Sequence, residues 1–278
     1  MKKLKKSFIK FLKSRARWNI KIQSNAISDD DKSLIAHTSI FGELCAIYLN
    51  FKNPLHFKTV EIASLIETEP ILFFEYLCLE KKYKTATYET DYSDLVATYQ
   101  ALLKDMYKGN PTIRMFSLIS LVSMLYEKNI NFIAKENVEI THDLIENQPK
   151  EAIEAIIDMI FFQTNFGLDT SISFDEKTIT ALELVMVNAT KAYDFLFVSR
   201  ILRTLAYVNA PKSKQTKTAV RFLRKYTPRK INLTLEVITE KGTEKLDLDT
   251  EMVRLNKEIM IAMLEWKTDF RLYRDFGK

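Results

Sequence analysis

Only five glycines and six prolines interrupt the 278 residues of this chain, and that scarcity constrains its fold more than any motif does. Strands joined by tight turns consume both residues, because such turns need positive φ or a φ locked near −65°. A chain this poor in them is expected to consist of long helices with short connections. Apolar residues make up 47% and charged residues 28%, enough apolar surface to bury a core and too much for a disordered chain. The expected fold is predominantly all-α, an irregular helical bundle or stacked α-hairpins, with one β-hairpin near residues 230–250.

Periodicity places the elements. Leu4, Phe8, Phe11 and Leu12 share one face of a lysine-rich helix at the start. Three aspartates at 29–31 sit where they complement a helix dipole, and a second helix runs to about Asn50 with Ile40, Phe41 and Leu44 facing inward. Residues 112–128 are apolar nearly all round and read as a central helix. Stretches 150–163, 176–189, 192–208 and 250–270 complete the helical set. One segment differs: Ile231, Leu233, Leu235 and Val237 recur at period two, followed by a TEKG turn, which is a β-hairpin pattern.

Between residues 56 and 92 a short helix (VEIASLI), a turn (ETEP), a longer apolar helix (ILFFEYLCLEKK) and a Tyr/Thr-rich stretch follow in order. This order resembles a winged helix-turn-helix, a unit of many regulators and of some dimerisation domains. The turn lacks the usual glycine, and the would-be recognition helix carries Glu69 and Glu75. Acids at that position repel phosphates, so the resemblance implies packing or dimerisation rather than base reading. The expected organisation is a basic amphipathic helix over 1–28 and a helical subdomain over 29–110 with the winged-helix-like unit. A second helical subdomain over 111–278 carries a basic helix, the hairpin and a C-terminal helix.

Charge is unevenly spread. Residues 1–28 hold nine basic side chains and no acid, residues 195–235 hold ten and no acid, and the remaining 209 residues hold 22 bases against 36 acids. Two cationic blocks therefore accompany an acidic body, and each either folds against it or faces a polyanion outside it. The candidate anion- or partner-binding residues are Arg200, Arg203, Lys212, Lys214, Lys217, Arg221, Arg224, Lys225, Arg229 and Lys230, with Lys10 and Lys13 from the first block. Lys217, Arg221 and Arg224 fall at i, i+4 and i+7, which puts them on one helix face while Val220, Phe222 and Leu223 turn inward. A turn before this helix and the hairpin after it again sketch a winged helix. Here Glu236, Glu240, Glu244, Asp247 and Asp249 of the hairpin would meet DNA phosphates, which disfavours sequence reading.

Chemistry-bearing motifs are lacking. His37, His56 and His142 stand far apart without an HxxxH or HExxH pair, and neither Cys45 nor Cys78 has neighbouring donors for zinc. No glycine-rich phosphate loop or nucleophile elbow occurs. Glu151, Glu154 and Asp158 form an acidic face on one helix, read as solvated or as a partner for a cationic block. No catalytic, cofactor or metal site is expected. Lys10 and Lys13 break the first segment's apolar run, so no cleaved leader is expected. The densest apolar run, 156–162, is broken by Asp158 and too short for a membrane span, and two cysteines in apolar stretches suit a reducing cytoplasm.

The leading functional expectation is a non-catalytic helical binding, adaptor or regulatory protein that engages an acidic partner or polyanion through basic surfaces. A nucleic-acid-binding regulator is the alternative, and membrane-surface contact through residues 1–28 stays open. A biosynthetic enzyme with an apolar helical pocket is a third reading, motivated by 18 Phe and 12 Tyr.

Overall fold

The computed structural model describes residues 29–49, 65–69, 72, 73, 75, 76, 79, 139–225, 234–239, 242–247 and 250–277. The expected helices over 4–12 and 112–128, the Tyr/Thr-rich stretch, and Lys10, Lys13, Arg229 and Lys230 lie outside these residues. What is described is predominantly helical. It divides into two compact units, one within Met1–Glu80 and Arg224–Ile261, the other within Lys81–Leu223 and Ala262–Lys278.

In the first unit, α1 (Asp29–Leu49) is buried through its middle on nearly every side. Ala36, Ile40, Phe41 and Leu44 are buried, and so are Ser33, His37, Thr38, Ser39 and Glu43. A helix buried all round loses the amphipathic signature that marks a surface helix. The short α2 (Leu65–Thr68) takes Glu67 and Thr68, expected in a turn, into helix, and the Glu69 N–H donates to the Leu65 carbonyl at 2.8 Å. Leu72, Phe73, Tyr76 and Leu79 beyond it are buried. Glu75, an acid of the would-be recognition helix, is buried as well and ion-paired with Lys257. Two stretches, β1 (Thr234–Thr239) and β2 (Gly242–Asp247), pair antiparallel in register from Thr234 opposite Asp247 to Thr239 opposite Gly242. Glu240 and Lys241 between them, and residues 226–233, lie outside the described residues.

The second unit is built on α3 (Lys150–Gln163), α4 (Glu176–Lys191), α5 (Phe195–Tyr207) and α6 (Lys214–Leu223). Helix α5 is its centre, packed by α3, α4 and α6, and Phe197, Val198, Ile201, Leu202 and Leu205 are buried along it. Helix α7 (Thr250–Lys267) begins in the first unit and ends in the second, and α8 (Leu272–Gly277) closes the described chain.

Side-chain caps explain where α4, α5 and α6 start. Asp175 accepts from the Thr178 N–H at 2.7 Å and Asp194 from the Phe197 N–H at 3.0 Å. Ser213 Oγ accepts from the Thr216 N–H at 3.0 Å, while Thr216 Oγ1 accepts from the Ser213 N–H at 2.9 Å, a reciprocal box that satisfies two orphan donors. The stops of α3, α4 and α5 use left-handed residues. After α3 the chain places Asn165, Phe166 and Gly167 in succession at φ 48°, 55° and 77°. A Cβ on Gly167 would lie 2.3 Å from Tyr207 Cδ1 and 2.9 Å from Arg271 Nε, so this glycine is required by space as well as by φ.

Candidate functional site

Eight of the ten candidate cations of the 195–235 block are among the described residues, and they separate into two groups. Arg200 on α5 turns onto the acidic face of α3, where it pairs with Asp158 and lies 3.8 Å from Glu154. Lys150 joins the same surface, 2.6 Å from Asp194 and 3.8 Å from Glu154, and the Asp194 contact holds its pKa above the usual lysine value. The acidic helix face is therefore met from within the same unit.

Arg203 is turned fully inward. Its side chain is 5% exposed, and Nε donates to Glu265 Oε2 at 2.9 Å. Its Nη2 donates to the Tyr207 hydroxyl at 2.9 Å, and that hydroxyl donates to Glu265 Oε1 at 3.1 Å. The guanidinium also lies over the Phe161 ring, 5.1 Å from its centroid. Burial pushes the Tyr207 phenol well above its ordinary pKa, so it stays a neutral donor. Beside it Arg271 donates to the carbonyls of Gly167, Glu265, Phe270 and Ala206. Arg203 thus anchors the core of this unit and is not available to a ligand.

The second group stays outside. Lys212, Lys214, Lys217, Arg221, Arg224 and Lys225 are all exposed. Helix α6 ends at Leu223, so Arg224 and Lys225 fall in the turn that follows it. Among the described residues Lys212, Lys214, Lys217 and Arg221 have no ion-pair partner. The opposite face of α6 explains why they point out: Thr216, Ala219, Val220 and Leu223 are buried against α4 and α5. Phe222 sits at the margin, half-buried, with its ring stacked on Phe195 at 4.2 Å and 11°. Tyr193 lies near this pair, its ring centroid 6.1 Å from that of Phe222, and the residue is 75% exposed. Sequence reasoning missed Tyr193. Its position two residues past the last helical residue of α4, where glycine is usual, was the signal available.

An open cavity of about 660 Å³ lies between α3, α4 and the turn before α3. Ile145, Ile153, Ala181, Leu184, Val185 and Phe197 give it apolar walls, and His142, Lys150, Glu146 and Glu176 stand among its polar lining. At its edge the donor atoms of His142, Asp143 and Glu146 lie within 4.8 Å of one another. All three come from one turn, and Asp143 and Glu146 are exposed, so they would cover one side of an ion only.

The histidines differ in setting. His37 is buried in the first unit, 3.6 Å from Glu69. Burial first, then the charge of Lys257, lowers its pKa to about 4, so it is neutral at pH 7. Lys257 keeps its charge, because Glu75 and Glu258 outweigh its burial and raise its pKa. Among the described residues no helix is long and apolar enough to cross a membrane. No protein-family model, curated protein or solved structure matches the chain.

Proposed function

We propose that the chain is a non-catalytic helical binding protein of the cytoplasm that engages an acidic partner or polyanion through the exposed face of α6. In this reading the body is an irregular helical bundle or a set of stacked α-hairpins, and the paired segment within residues 230–250 is a β-hairpin. One observation supports the function above the others. Lys214, Lys217 and Arg221 share an exposed face without an ion-pair partner among the described residues, on a helix whose other side is packed. Three like charges along one short helix repel each other, and a bound polyanion relieves that repulsion. Arg200 and Arg203, which pair internally, lie on a different helix.

The test is a direct titration with inorganic polyphosphate. The triple variant Lys214→Glu, Lys217→Glu, Arg221→Glu is expected to lose binding while keeping the wild-type circular dichroism spectrum, because the changed residues are exposed. Wild-type affinity in that variant would refute the reading.

A further inference from the structure

Tyr193 is held in a conformation that favours glycine, yet the residue stays largely exposed. The Asp194 N–H donates to the Ala189 carbonyl at 3.0 Å and the Tyr193 N–H to the Thr190 carbonyl at 3.3 Å. This closing pattern requires a left-handed residue at Tyr193, whose φ is 59°. A Cβ is crowded there, which is why glycine usually occupies the position. A hydrophobic contact often offsets the cost, but at 75% exposure Tyr193 is the most exposed of the large apolar side chains among the described residues. The homologous stop after α5 uses Asn209, a residue that tolerates φ 53°. Strained residues of this kind collect at functional sites.

The surroundings of the ring indicate what it could take. Phe222, stacked on Phe195, supports Tyr193 from one side at a 57° tilt. Phe222 directly follows Arg221 on α6, and Lys191, also exposed, precedes Tyr193 by two residues. A strained, exposed, buttressed aromatic therefore adjoins a helix face of cations. Acidic protein side chains would use the cations and gain little from the ring. A duplex keeps its bases stacked inside. An unpaired nucleotide strand uses both, with phosphates on the cations and a base on the ring.

We propose that Tyr193 is a base-stacking residue and that it and the cationic face of α6 bind single-stranded nucleic acid. The proposal rests on the reading of that face as a polyanion site and adds the class of ligand. The phosphates are held by Lys214, Lys217 and Arg221.

The test uses the full chain, a fluorescein-labelled oligodeoxythymidine of about a dozen nucleotides, and inorganic polyphosphate as a polyanion without bases. Tyr193→Ala should weaken oligonucleotide binding by about 5- to 100-fold and leave polyphosphate binding unchanged, and Tyr193→Trp should restore the oligonucleotide. Lys217→Glu with Arg221→Glu should weaken both ligands. If Tyr193→Ala binds both ligands as the wild type does, the stacking proposal is overturned and the anion face stands. If neither ligand binds the wild type, both readings fail. Tighter binding of a poly-glutamate peptide than of the oligonucleotide would also overturn the proposal, in favour of an acidic protein partner.

Discussion

Arg203 donates through Nε to Glu265 at 2.9 Å in a site where both side chains are almost wholly removed from water. The pair joins two segments 62 residues apart and is completed by Tyr207, which bonds both partners. Removing one member leaves the other as an uncompensated buried charge. Arg203→Met is therefore expected to cost about 3–5 kcal/mol in urea unfolding, and Arg203→Met combined with Glu265→Leu should recover a large part of that loss. Additive loss in the double variant would contradict the coupling.

Gly167 is the second point where the core leaves no slack. Its missing Cβ makes room for the Tyr207 ring, which cannot retreat because its hydroxyl is tied to Arg203 and Glu265. Gly167→Ala should destabilise the protein by about 2–4 kcal/mol through overpacking and left-handed strain together. A thermal melt within a degree of wild type would show that the ring can move.

His37 makes the first unit sensitive to acid. Its folded pKa of about 4 lies below the unfolded 6.5, so between these values the unfolded chain binds a proton that the folded chain does not. Stability is unaffected by this group above pH 6.5 and falls as pH is lowered through the window, by up to about 3 kcal/mol. Glu69, lowered to about 2 chiefly by its contact with His37, acts below pH 4.5 in the same direction. Urea unfolding of wild type and His37→Gln at a series of pH values should give a flatter profile for the variant between pH 6.5 and 4. Parallel profiles would contradict the assignment.

Helix extents were legible where one face is apolar and the other is not. The 150–163 pattern coincides with α3, and Ile153, Ile157 and Ile160 are among its buried residues, because period 3.6 records burial directly. The basic face of α6 was legible for the same reason, since its buried side is Ala219, Val220 and Leu223. Partners were not legible. Arg203 and Lys217 look alike as letters, yet one is a core residue and the other is exposed, because a buried acid 62 positions away receives only Arg203. The partner of Glu75 was not legible either, since Lys257 lies 182 residues further on. Tyr193 escaped notice because positive φ in a tyrosine leaves no trace in composition.

The central claim is that Lys214, Lys217 and Arg221 form a face for a polyanion, and the salt dependence of binding tests it most directly. Three cations displacing condensed counterions should give a slope near −2 in a plot of log affinity against log salt for a single-stranded oligonucleotide, between about 50 and 200 mM salt. The triple glutamate variant should bind weakly or not at all over that range. A slope near zero in the wild type, or the same slope in the variant, would contradict the account.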